Sequence, residues 1–362
     1  MIHFKDELKS IKNYIPGKPI EEVKRELGLK GRIIKLASNE NPLGISPKAK
    51  KAILSSIGSL NLYPDDTNYY LKKKISEKIG VEEKHVIVGN GSVELINNIV
   101  FSFTRKHDNL LRCDPSFIMF SISGLMNGCN VISVPTNNFT FDVDEMIRKS
   151  EEADARIVYF DNPNNPMGSM VNQEKVEYLM KRINKERIVI LDEAYNEYMS
   201  KNDRIDSGKL LRKHKNIVIL RTFSKIYGLA GLRIGYGIAN DEIMEVLNKV
   251  RLPFNVNLLA QKAALAAIDD SKHLSESKKL NDQGINYLTA SLNKMGFFVV
   301  PSFTNFVSFD TLTDASVIFK KLESRGIIVR PIANYGLKSF LRVTTGTESD
   351  NKKFIKTLKE VM

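Results

Sequence analysis

Lys225 lies in the stretch Arg221-Thr222-Phe223-Ser224-Lys225-Ile226-Tyr227-Gly228-Leu229-Ala230-Gly231-Leu232-Arg233, an amine between two aliphatic hydroxyls and an arginine. A lysine amine condenses with aldehydes, and a guanidinium with hydroxyls beside it holds a phosphate dianion. Three more groups extend that inventory: the carboxylate of Asp192 and the phenol of Tyr195 in Asp192-Glu193-Ala194-Tyr195, and the amide of Asn165 in Asp161-Asn162-Pro163-Asn164-Asn165-Pro166. Such a carboxylate keeps a ring nitrogen protonated, while a phenol and an amide bond a ring oxygen. The turn Gly89-Asn90-Gly91-Ser92 runs into a helical stretch, and free N–H groups at a helix start attract phosphate. Each group alone has a plainer reading, since a lone lysine in so basic a chain is usually solvated and most glycine turns bind nothing.

The elements that carry these groups bring them together. Residues 86–88, 131–134, 157–160, 188–191 and 217–220 are short, aliphatic runs that predict buried strands, and helical stretches such as 93–104 and 173–184 lie between them. That alternation predicts an α/β fold with a mostly parallel, doubly wound sheet, which places the three polar constellations on the edge where such sheets bind ligands. Helical spacing predicts further helices over 20–29, 48–57, 69–79, 257–268 and 274–295. Short strands around 297–301, 306–309, 327–330 and 340–344 then mix with helices at 315–325 and 350–361, a smaller α+β domain. The expected division is a large cofactor-binding domain, 38–275, and a small domain from both chain ends, 1–37 and 276–362.

A chain of 362 residues suits two domains, and none of its apolar stretches approaches the roughly 20 residues that cross a membrane. Its start, Met1-Ile2-His3-Phe4, has no apolar leader, so a cytoplasmic protein without membrane contact is expected. Cys113 and Cys129 show neither a disulfide framework nor metal-ligand spacing, so no metal is expected and both read as core positions. The net charge of +12 rests on lysines of helical faces without a nucleic-acid signature. No nucleic-acid partner is expected; the charge favours an anionic small molecule.

The complete inventory fits pyridoxal 5′-phosphate, whose protonated ring is the electron sink for a carbanion at the substrate Cα. The order of motifs runs from Tyr14-Ile15-Pro16-Gly17 through Ser38-Asn39-Glu40-Asn41-Pro42-Leu43-Gly44, Tyr63-Pro64-Asp65 and the groups above to Leu341-Arg342-Val343-Thr344-Thr345-Gly346-Thr347. It resembles the fold-type I pyridoxal-phosphate-dependent aminotransferases, and among them the histidinol-phosphate aminotransferases. The resemblance implies that Lys225 forms the Schiff base and later shuttles the Cα proton, that Asp192 pairs with the ring nitrogen, and that Tyr195 and Asn165 bond the ring oxygen. It implies a phosphate held by Gly91, Ser92 and Val93, by Thr222, Ser224 and Arg233, and by Tyr63 from the neighbouring subunit of a homodimer with its active site at the interface. Phe117 stands where the family stacks an aromatic on the ring, usually tyrosine, and Val93 stands where an aspartate is common. Arg342 matches the arginine that grips the substrate α-carboxylate, Arg330 and Tyr14 match the pair that binds a substrate phosphate, and Asn41 is also among the implied substrate positions.

The activity implied is exchange of an amino group between L-histidinol phosphate and 2-oxoglutarate in two stages, a step of histidine biosynthesis, with a small-molecule amino donor and a 2-oxo acid as partners. An aromatic amino acid aminotransferase and a phosphothreonine decarboxylase on the same scaffold are alternatives. A non-catalytic cofactor-binding regulator is an alternative of another class, but the enzyme resemblance fills the chain and leaves no room for a DNA-binding module.

Overall fold

The computed structural model describes residues 2–11, 18–28 and 31–362, so Tyr14 and its motif lie outside the described residues. The strands in chain order are β1 (Ile34–Lys35), β2 (Val86–Gly89), β3 (Asn109–Asp114), β4 (Asn130–Pro135), β5 (Ala155–Asp161), β6 (Ile188–Asp192), β7 (Ile217–Thr222), β8 (Gly235–Ile238), β9 (Val299–Val300), β10 (Phe306–Asp310), β11 (Ile327–Ile328), β12 (Arg330–Pro331) and β13 (Phe340–Thr344). Seven of them form one sheet in the order β2-β8-β7-β6-β5-β3-β4. Every pairing in it is parallel except the two made by β8. Ile157 and Tyr159 of β5 join the apolar cluster of Leu95, Ile99 and Leu247, while Val158 and Phe160 join that of Val176 and Leu179. Helices cover both faces, which is why these strands read as unbroken apolar runs.

β3 and β8 were not legible as strands. β3 carries Arg112 among apolar residues, and its guanidinium is taken up by Asp114 at 2.8 Å and Ser116 at 3.1 Å. β8 reads Gly-Tyr-Gly-Ile, and two glycines weaken a strand. Close backbone approach requires the first of them: a Cβ on Gly235 would lie 2.6 Å from the Ser92 amide nitrogen and 2.9 Å from the Arg221 carbonyl oxygen.

The antiparallel sheet β12-β13-β10-β9 packs Phe309, Leu341 and Val343 against Leu288, Leu322 and Phe354 of the helices Ser271–Lys294, Ala315–Glu323 and Glu348–Val361. β1 pairs in parallel with β11, Ile34 opposite Ile327, which ties the segment before residue 38 to this part of the chain. The helix Tyr69–Ile79 has its expected bounds, whereas the long helix starts at Ser271 instead of 274 because the Asp270 carboxylate caps the His273 N–H. It runs unbroken through residue 275. Cys113 and Cys129 are both buried and free. Among the described residues no helix is long and apolar enough to cross a membrane, and no cluster of His, Cys, Asp or Glu has the makings of a metal site.

Gly235→Ala is expected to lower stability by at least about 2 kcal/mol, since its new methyl meets backbone that cannot withdraw. Gly237→Ala, whose Cβ would meet the Leu220 side chain at 3.2 Å, is expected to cost clearly less. Thermal unfolding of the two variants checks the order.

Candidate active site

Gly89, Asp161, Asp192 and Thr222 end β2, β5, β6 and β7, and because those strands run the same way all four lie on one edge. Asp161 is paired directly with Asp192. Beyond β7 the chain folds back: the Phe223 N–H donates to Ile234 O, the Gly228 N–H to Lys225 O and the Leu229 N–H to Phe223 O, each at 3.0 Å. Phe223, Ile226 and Tyr227 are buried and anchor this loop, with the rings of Phe223 and Tyr227 4.8 Å apart. Gly228 has a φ of +70°, and a Cβ there would stand 2.1 Å from Gly44 O, so the 38–44 loop rests directly on the lysine loop. Asn41 secures that contact, its Nδ2 donating to Ile226 O at 2.7 Å and to Ser277 Oγ at 2.9 Å.

Lys225, Asp192, Tyr195 and Asn165 line one cavity of about 130 Å³. Its wall is completed by Ser92, Val93 and Phe117, and by Thr222, Ser224 and Arg233. Gly235 explains the last grouping, because it is paired with Gly89 on one side and with Thr222 on the other. Arg233, two residues earlier, thus enters between the glycine turn and the hydroxyls. Gly91, at φ +78°, leaves room for it: a Cβ would lie 2.7 Å from Arg233 Nη2. No side chain caps the helix Ser92–Phe103, so its first N–H groups remain available to an anion beside that guanidinium.

Burial pushes the Asp192 carboxyl up to about 6, against hydrogen bonds from the Tyr159 hydroxyl at 3.1 Å and the Ala194 N–H at 3.1 Å. Asp161 is raised to about 7 by burial, although Oδ2 accepts the N–H groups of Asn165 at 2.8 Å and Phe117 at 3.1 Å. Lys225 is lowered to about 8, first by burial and then by the positive charges of Arg342 and Arg233, with Glu40 and Asp192 opposing. Burial also pushes the Tyr195 phenol up, and its ring sits edge-on to Phe306 at 5.5 Å. Arg342 donates from Nη1 to Asn165 Oδ1 at 2.5 Å and from Nη2 to Ala37 O at 2.8 Å.

Besides Gly91, which backs Arg233, four sequence candidates among the described residues stand apart from the cavity wall. Arg342 is one contact away, through Asn165, and Arg330 lies directly opposite Arg342 across β12 and β13. Asn41 is buried with its amide committed to loop contacts. Tyr63 is 81% exposed and stacks on Phe254 with centroids 4.5 Å apart. Tyr159 and Asp161 were missed, though period-two spacing along β5 places both on the side chain face that carries Ile157, and Asp161 opens a motif already singled out. Asn39, whose Nδ2 donates to the Tyr195 hydroxyl at 2.8 Å across 156 positions, also lies in a motif already singled out, two residues before Asn41.

An amine, two carboxylates and a phosphate-type cradle on the carboxyl edge of a mostly parallel sheet define an aminotransferase-like molecule. The profile of the family described as aminotransferase class I and II matches residues 31–358, and the chain belongs to that family. It is 45% identical over 359 residues to the histidinol-phosphate aminotransferase of Caldicellulosiruptor saccharolyticus, covering 99% of this chain and 100% of the relative. It is 43% identical to the enzyme of the same name from Moorella thermoacetica, over 98% of this chain and 91% of that one. The crystal structure of histidinol-phosphate aminotransferase from Sinorhizobium meliloti in complex with pyridoxal-5′-phosphate superposes with a TM-score of 0.92 at 27% identity, covering 100% of this chain and 98% of the other.

In cofactor-free protein the Lys225 amine is expected to react with an aldehyde reagent with a midpoint near pH 8, because the neutral form predominates above the lowered pKa. Arg342→Gln removes a positive charge and should move that midpoint upward. Labelling rates against pH, read by mass spectrometry at Lys225, decide the point, and a midpoint near the ordinary lysine value would refute it.

Proposed function

We propose that this protein is a pyridoxal-phosphate-dependent aminotransferase that exchanges an amino group between L-histidinol phosphate and 2-oxoglutarate in histidine biosynthesis. The cofactor fits the donor set: a glycine turn with uncapped helix N–H groups, two hydroxyls and Arg233 suit its phosphate, and Asp192, Tyr195 and Asn165 suit its ring. When bound, it supplies an electron sink for the charge left at the substrate Cα. Asp192 would hold the proton on the ring nitrogen, and its burial strengthens that pairing. Lys225 Nζ would hold the cofactor's aldehyde carbon, and its amine would move the proton at the substrate Cα. Phe117 would cover the ring face, and the apolar walls around it would exclude water.

The observation that carries the substrate, beside the full-length relatives, is the register of β12 and β13. Arg330 and Arg342 are direct cross-strand partners and so share one face. Two planar guanidinium forks on one face suit the several oxygens of a dianionic group. L-Histidinol phosphate carries a phosphate where ordinary amino acids carry a carboxylate. A single carboxylate makes less use of two arginines. The reading extends to a homodimer in which the exposed face around Tyr63, Leu62 and Leu252 packs on a second copy and Tyr63 reaches the partner's phosphate site. It also keeps the division into a large unit, 38–275, and a small one from both chain ends.

Arg330→Ala is expected to raise KM for L-histidinol phosphate at least about tenfold, while activity on phenylalanine falls less; equal losses on both would sink the phosphate assignment. Lys225→Ala is expected to show no measurable turnover. Steady-state assays with 2-oxoglutarate as acceptor check both.

A further inference from the structure

A phenol gives one proton and receives on its lone pairs, so the partner on one side decides what it does on the other. The Tyr195 oxygen receives from Asn39 Nδ2 at 2.8 Å. Thr344 sets the orientation of that amide: Thr344 Oγ1 accepts the Asn39 backbone N–H at 2.9 Å and gives its own proton to Asn39 Oδ1 at 3.0 Å. Asn305 Nδ2 donates to the Asn39 carbonyl at 3.0 Å. Asn39 is 2% exposed and has a φ of +56°, a left-handed conformation that asparagine tolerates better than most residues. With Oδ1 held by the threonine proton, Nδ2 must face the phenol, and the phenol keeps its own hydrogen for the cavity that it lines.

We propose that Asn39 and Thr344 are positioning residues that fix the Tyr195 phenol as a hydrogen-bond donor into the Lys225 cavity, aimed at the ring oxygen of the bound cofactor. The inference rests on the cofactor reading above. Thr344 lies two residues beyond Arg342 on β13, so the strand that carries the substrate-facing arginine also sets the polarity of the phenol. A donated proton stabilises the anionic ring oxygen and lowers the pH at which the bound cofactor changes its visible absorption. Lys225, with Nζ 5.7 Å from the Tyr195 ring, Asp192 of β6, Asp161 of β5, Arg342 of β13 and Tyr198 also face this phenol. They are identical in every variant compared.

The test is a pH titration of the visible absorption of the holoenzyme. Asn39→Gly deletes the amide at a backbone conformation that glycine adopts freely, and Asn39→Asp turns the donor into an acceptor that draws the phenol proton away. Both should move the absorption midpoint upward, Asn39→Asp by about one pH unit and Asn39→Gly by less, in the direction of Tyr195→Phe. In a Tyr195→Phe background Asn39→Gly should add nothing. Thr344→Val should shift the midpoint the same way, and Thr344→Ser should restore it. Unchanged midpoints in Asn39→Gly and Thr344→Val, or a shift by Asn39→Gly that persists without the phenol, overturn the proposal. Should the Asn39 variants not fold, Thr344→Val against Thr344→Ser decides alone. If the wild-type protein gains no visible absorption with pyridoxal phosphate, the cofactor reading fails instead.

Discussion

Neighbouring strands of a sheet stand about 4.8 Å apart, so parallel strands that end together confine their terminal side chains to a strip a few residues wide. β5, β6 and β7 are such a set, with Asp161 opposite Asp192 and Leu220 opposite Asp192 on the other side. The lysine loop can therefore leave β7 only beside these carboxylates. β8, running the other way, inserts its start between β2 and β7 and delivers Arg233 to the glycine turn. Reversing any of these directions would scatter the amine, the carboxylates and the phosphate-type cradle over two edges.

Crowding charge on one buried edge costs free energy, and the molecule divides the cost unevenly. Glu193 is matched by Arg221, with Nε donating to Oε2 at 2.9 Å and Ser207 bonding both partners. That pair joins the ends of β6 and β7 and has no share in the cavity wall. Asp161 and Asp192 have hydrogen-bond donors but no cation in direct contact, and burial raises both. Lys225 is lowered first by burial and then by the cations nearby. The cavity thus gathers an amine and two carboxylates whose charged forms burial disfavours.

The smaller sheet bears on this edge through a few polar contacts. Ser308 of β10 donates to Pro166 O at 2.5 Å, one residue beyond Asn165, and Arg342 holds the Asn165 side chain itself. Thr344 holds Asn39, and Asn39 holds the Tyr195 phenol. β13 thus reaches the Asn165 amide directly through Arg342, and the Tyr195 phenol at one remove, through Thr344 and Asn39.

The local pattern alone determined the strands β2, β4, β5, β6 and β7, most of the helices and the sheet edge on which Lys225, Asp192, Tyr195 and Asn165 meet, because short apolar runs and turn residues act over a few neighbours. It carried the class of chemistry as well, since an amine, a carboxylate and a glycine turn at strand ends have few joint uses. Only the tertiary structure decided what depends on distant approach. β8 was hidden because Gly235, which weakens a strand taken alone, answers to the Ser92 turn more than a hundred residues earlier. Asn41, an expected substrate position, bonds Ile226 and Ser277 through its amide, while Asn39, two residues away, bonds the Tyr195 phenol. Arg330 and Arg342 became neighbours through strand register, and Asn39 and Thr344 through a contact across 305 positions. Side-chain periodicity reports which face of its own element a residue occupies; which residue waits on the other side is set by packing that no local pattern encodes.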